Sequence, residues 1–171
     1  MTPALRTPRL TLRARVVDDA DALFDTMADA DAMRWWSRAP VGSVGELRAH
    51  FAEAHPGWRA WAAVHEGRAV GFVSAGEKRQ GGVSEIGYLF ARDTWGTGLA
   101  REAVAAVIAQ LFAEGQRRVF ADTDPDNAGS IRLLERLGFT LEGRLRAEWH
   151  THIGVRDSLI YGLLREEWRG S

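Results

Sequence analysis

Trp95-Gly96-Thr97-Gly98-Leu99-Ala100-Arg101 is the stretch on which the reading of the whole chain turns. It follows an extended run, Val83 to Phe90, and opens an apolar stretch from Leu99 to Glu114 that stops at Gly115. The run before it reads as a strand and the stretch after it as a long helix. Glycines in a strand-to-helix turn let the backbone bend tightly and aim free N–H groups outward, where the helix dipole favours an anion. The turn is therefore a candidate phosphate seat. Many such turns carry Gly-x-Gly for steric reasons alone, so the surrounding chain has to decide.

Downstream of the helix, Val119 to Ala121 is a short strand. Strand, helix and strand form a right-handed crossover, which sets the Val83 and Val119 strands parallel. Upstream, Trp58–His65 and Arg68–Glu77 are joined by Glu66-Gly67, and Gly81-Gly82 leads into Val83–Phe90, an antiparallel meander. Further out, Arg9 to Val16 alternates apolar and polar residues as a half-buried strand does. Asp18–Ala30 has helical spacing, and Ser43 with Glu46 has the capping-box spacing of a second helix that closes before Pro56. Asn127–Leu137 predicts another helix, ended by Gly138, and Phe139–His152 with Ser158–Leu164 predicts a C-terminal strand pair. The expectation is one α/β (α+β) domain over residues 1–171, with flanking helices and a mixed, largely antiparallel sheet containing one parallel pair. No internal repeat or linker interrupts it.

Composition narrows the chemistry. Lys+Arg number 22 and Asp+Glu 23, a formal charge of -1, so nothing global points to nucleic acid or an anionic membrane. Cysteine is absent, which excludes disulfides, thiolate metal sites and a covalent Cys relay. The start lacks the apolar core of a signal peptide, and the longest apolar run, Ala103 to Ala109, is far below the ~20 residues of a membrane helix. A cytoplasmic protein is expected. His150 and His152 stand two apart on a strand, but no third ligand has sensible spacing, and no metal is expected.

Two familiar phosphate loops fit poorly. A P-loop requires Lys, and none stands here. A dinucleotide fingerprint requires a third small residue where Arg101 stands, although Asp122 does end the following strand. The run W-G-T-G-L-A instead resembles the acetyl-CoA loop of the GCN5-related N-acetyltransferases, [QR]-x-x-G-x-[GA], with Trp95 in the Gln/Arg place. Asn127 and Ser130 in N-x-x-S, then Glu135-Arg136-Leu137-Gly138-Phe139 and Leu141-Glu142-Gly143, resemble the RimJ/RimL branch. So do Thr7-Pro8-Arg9-Leu10-Thr11-Leu12-Arg13 and Glu166-Glu167-Trp168, so the likeness spans almost the whole chain.

That resemblance implies an acetyl-CoA-dependent N-acetyltransferase acting on a primary amine, either a protein N-terminus or a small molecule. It implies a pantetheine arm in the gap beside a splayed central strand, pairing with backbone at Tyr88, Leu89 and Phe90. The diphosphate would sit on the amides of Gly96, Thr97, Gly98, Leu99, Ala100 and Arg101. Asn127 would hydrogen-bond the arm, and Ser130 would stand near the sulfur. A homodimer is common among such proteins.

Acetyl transfer from a thioester needs a neutral amine, a stabilised oxyanion and a proton for the leaving thiolate. An amide near Leu89 or Phe90 can meet the oxyanion, and Ser130 can pass a proton to a thiolate whose acid has a pKa of about 8.5. For the base, Glu148 resembles the strand carboxylate of RimL-like members, and Glu85 lies roughly where other acetyltransferases carry theirs. Alternation places Glu142, Arg144, Arg146, Glu148, His150 and His152 on one face, and such stripes are often merely solvated. Ser130 can equally be a first-turn helix residue and Asn127 an N-cap. Trp35 and Trp36 wall an acceptor pocket or anchor the core, and Arg92 and Arg101 flank the loop. A non-catalytic acyl-CoA sensor and a nucleotide-binding module are the rival readings.

Overall fold

A computed structural model describes residues 1–170. Eight strands form one sheet: β1 (Leu5–Arg6), β2 (Thr11–Ala14), β3 (Trp58–His65), β4 (Arg68–Glu77), β5 (Val83–Phe90), β6 (Arg118–Thr123), β7 (Thr140–Thr151) and β8 (Gly154–Leu164). Their spatial order is β1-β2-β3-β4-β5-β6-β8-β7, and every neighbouring pair is antiparallel except β5 with β6. The mixed sheet with a single parallel crossover is the architecture expected from the strand–helix–strand spacing.

Four helices cover it: α1 (Asp19–Ala28), α2 (Val44–Ala52), α3 (Leu99–Ala113) and α4 (Ala128–Arg136). β4 is apolar on both faces because both are covered. Its Val73 and Ala75 pack with Ala103, Val107 and Ile108 of α3, while Phe72 packs with Leu23, Met27 and Leu47 of α1 and α2. Trp61 of β3 is fully buried, and its Nε1 donates to the Pro3 carbonyl at 2.8 Å, which ties the N-terminal segment to the sheet. The tight turns follow the residues that allow them: Glu66 and Gly67 both have positive φ, 49° and 80°, as a two-residue hairpin turn with right-handed twist requires.

Several expectations need correction. β1 was missed because two residues carry no period, and β2 is shorter than Arg9–Val16. Ser43 does cap α2, its Oγ accepting from Glu46 N at 3.1 Å, but the Glu46 carboxylate accepts from Gly42 N, so the box does not close on Ser43. β8 starts at Gly154, not Ser158, its polar Arg156-Asp157 pair having hidden the strand. The common face assigned to Glu142 through His152 does not exist. Register shifts between Leu141 and Gly143 and between Leu145 and Trp149 interrupt the alternation, and Ala147 has φ 53°.

Candidate functional site

The loop before α3 has the geometry that glycine permits. Gly96 and Gly98 have φ of 76° and 83°, a region costly for other residues. Thr97 N turns back to Thr94 O, and the first intrahelical bond runs from Glu102 N to Gly98 O. The amides of Gly96, Gly98, Ala100 and Arg101 are left without an acceptor among the described residues, and they cluster at the positive end of a fifteen-residue helix. Leu99 is buried in the core and orients the helix start, its amide only loosely held by Thr97 Oγ1 at 3.4 Å.

Arg9, in the Thr7–Arg13 segment, braces this loop. Its Nη1 donates to Thr97 O at 2.9 Å and its Nε to Glu102 Oε2 at 2.7 Å, while Thr7 Oγ1 donates to the other Glu102 oxygen. Burial pushes the Glu102 carboxyl up, but the Thr7 and Arg9 hydrogen bonds outweigh it and hold the group below its usual value. Arg92 is tied to Asp29 and Asp31 at the end of α1, and Arg101 is exposed.

β5 and β6 form a fork. Their parallel pairing ends at Ile86 with Ala121, yet β5 runs on to Phe90 and β6 to Thr123. Ala91 N bonds Val70 O across β4, so by alternation Leu89 and Gly87 also face β4, whereas Tyr88 and Phe90 turn their peptide groups into the fork. Leu89 is thus removed from the amides offered to an arm or an oxyanion, because its own hydrogen bonds lie in the β4 ladder. The Phe90 carbonyl already accepts from Trp95 Nε1 at 2.9 Å, and this places the exposed indole of Trp95 at the mouth of the fork.

The fork opens onto a cavity of about 350 Å³ that includes Glu85, Tyr88, Asn127 and Ser130. Asn127 caps α4, its Oδ1 accepting from Ser130 N at 3.1 Å, which leaves its amide NH₂ uncommitted. Ser130 Oγ lies 2.7 Å from the Tyr88 hydroxyl, and either group can donate. Burial pushes the Tyr88 phenol far above its ordinary value against a smaller opposite effect of Ser130, so the phenol keeps its proton at any physiological pH. A larger space, about 440 Å³, lies at the opposite end of β4 and β5 around the Arg59–Glu114 pair, remote from the glycine loop.

Trp35 and Trp36 both face the site cavity, the first 5.7 Å from the Arg156 guanidinium and the second packed edge-on against Phe72. Glu85 lines it too, ion-paired with Lys78. Glu148 does not. It sits exposed on the bulge that Asp157 fixes by accepting from Ala147 N at 2.8 Å, and the bulge turns Trp149 and Thr151 inward instead. Asp122, Trp149 and Arg156 were missed as site residues. Asp122 carried a usable signal, an acid on the last turnless residues of the crossover strand, but Trp149 depends on a bulge that no periodicity announces. His50, Glu53 and His55 gather at the end of α2, away from this cavity.

A family model described as an acetyltransferase (GNAT) domain matches residues 9–140. The chain is 29% identical to the uncharacterized N-acetyltransferase p20 of Bacillus licheniformis over 97% of its own length and 98% of the relative's. It is 28% identical to the uncharacterized N-acetyltransferase YoaA of Bacillus subtilis over 96% and 98%. Among solved structures, an acetyltransferase (GNAT family) from Bacillus anthracis superimposes with a TM-score of 0.86 at 23% identity, covering 96% of this chain and all of the other. RimL, a ribosomal L7/L12 alpha-N-protein acetyltransferase in complex with coenzyme A, does so with 0.83 at 20% identity, covering 95% and 98%. The forked sheet, the glycine loop at the start of α3 and the match over most of the chain together make this protein a member of the GNAT acetyltransferase family.

Proposed function

We propose that the protein moves the acetyl group of acetyl-CoA directly to the nitrogen of a primary amine, with both bound at the fork. The carrying observation is the peptide edge of Tyr88 and Phe90, which has no partner on β6, with only the Phe90 carbonyl taken, by Trp95 Nε1, and which runs from the free amides of α3 to the Ser130 cavity. Acetyl-CoA supplies an activated acyl group held as a thioester. The amides of Gly96, Gly98, Ala100 and Arg101 hold its diphosphate, and Tyr88, Phe90 and the Asn127 side chain hold its arm. With Leu89 engaged by β4, the Phe90 N–H is the donor offered to an acyl oxygen. The Ser130 hydroxyl, held 2.7 Å from the Tyr88 phenol, is the proton donor offered to the leaving sulfur, and the proton given up by the attacking amine restores it. With no Cys in the chain, no acyl-enzyme on sulfur intervenes.

The amine's proton has to leave before attack. Glu85 faces the cavity, where it is ion-paired with Lys78. Glu148→Gln is expected to leave kcat/KM within about threefold of the parent, the scale of an exposed substitution. Loss of turnover with retained coenzyme binding would return the base to Glu148.

A thiol-release screen over small amines and peptides with free N-termini tests the function. Release with at least one amine is expected. Tight coenzyme binding with no release for any amine would favour the sensor reading, and NAD binding in place of coenzyme A the nucleotide one.

A further inference from the structure

We propose that Asp122 is the counter-ion of the acceptor: its carboxylate receives an alkylammonium group whose apolar body lies against the indoles of Trp36, Trp58 and Trp149. The inference rests on the acetyltransferase reading and adds to it the chemistry that selects the amine.

Asp122 is the first residue of β6 beyond the last β5–β6 rung, so it stands where the fork opens. Four carboxylates line the cavity, and three of them have a cationic partner. Glu85 pairs with Lys78, Asp124 with Arg156 and Asp157 with Arg144. Among the described residues Asp122 has no cationic partner. One oxygen accepts from the buried Ser158 hydroxyl and the other from Trp149 Nε1 at 2.8 Å.

Those two donors orient the carboxylate without cancelling its charge. A carboxylate accepts about four hydrogen bonds, so about two remain for a ligand. Arg156, the cation that lines the wall, is occupied: its Nε and Nη2 lie 2.7 and 2.6 Å from Asp124 and Asp126. The cavity therefore presents one carboxylate without a cationic partner in an indole-walled space. Indole faces favour a cation that is partly stripped of water, and a charge-assisted contact is stronger there than in bulk solvent. An anionic acceptor is disfavoured at the same point.

The cavity's volume, about 350 Å³, suits a small alkylamine or the first residues of a peptide, both of which present an alkylammonium. The test uses unreactive coenzyme A in place of acetyl-CoA and needs no turnover. Isothermal titration of the coenzyme A-loaded protein compares n-butylammonium, alanyl-alaninamide and neutral n-butanol. Both cations are expected to bind, the tighter one naming the source, and each about 10- to 100-fold more weakly to Asp122→Asn. Butanol should bind the two proteins alike, because Asn keeps the size of Asp and an oxygen for Trp149. On the parent protein alone, added NaCl should weaken the cations and spare butanol. Equal cation affinity in parent and variant, or no salt effect, overturns the proposal. Binding as proposed alongside a failed thiol-release screen would instead sink the acetyl-transfer reading and leave the cation site standing.

Discussion

A Gly98→Asp variant is expected to bind acetyl-CoA on the order of 100-fold more weakly than the parent, equivalent to about 2.7 kcal/mol. Two effects combine. At φ 83° any side chain is strained, and a Cβ there would come within 3.3 Å of Arg9 Nη2. The carboxylate also enters the field of the diphosphate. Two like unit charges about 5 Å apart at an effective dielectric near 20 repel by about 3 kcal/mol, and Arg9 offsets part of that. Gly98→Ala separates the contributions, since it keeps the strain and omits the charge, and it should lose about tenfold. Calorimetric titration decides the matter. Affinity within threefold of the parent for the charged variant would remove the diphosphate from this loop.

Trp61→Ala should destabilise the protein by about 3–5 kcal/mol, a large share of the ~5–15 kcal/mol typical of a domain. The ring is wholly buried in the core shared with α3, and its register partners on the neighbouring strands β2 and β4 are Ala14 and Val73. Its removal leaves a large void and also strips the Pro3 carbonyl of its donor. Trp61→Phe keeps most of the volume and should cost only the hydrogen bond and a little packing, about 1–2 kcal/mol. Urea unfolding with an unchanged m-value measures both. A loss below 1 kcal/mol for the alanine variant would mean that the N-terminal segment and β3 are not the joined unit described above.

Which parts of this were legible without coordinates follows from range. β3, β4 and β5 were readable to the residue because each is bounded by a glycine turn and carries its own apolar pattern. The loop before α3 was readable because positive φ at Gly96 and Gly98 demands a residue type. Leu89 was misassigned because an N–H faces one neighbour or the other by a parity that only the Ala91–Val70 bond fixes. Glu148 was favoured by its resemblance to the strand carboxylate of RimL-like members, and no periodicity announces the bulge at Arg146-Ala147-Glu148, where three residues stand against Asp157 alone. Asp122 stood out in the sequence only as the acid that ends the strand after the long helix. Its neutral company is set by Ser158 and Trp149, from strands more than twenty residues away in the chain.

The unfinished zipper between β5 and β6 also has a signature in time. Amides in the middle of a packed sheet ordinarily exchange with deuterium only through large openings. Tyr88 and Phe90 alternate with Gly87, Leu89 and Ala91, whose N–H groups face β4, yet their own point at no carbonyl of β6. A deuterium-labelling map should therefore show two fast sites alternating with slow ones along a single strand, and saturating coenzyme should silence both together.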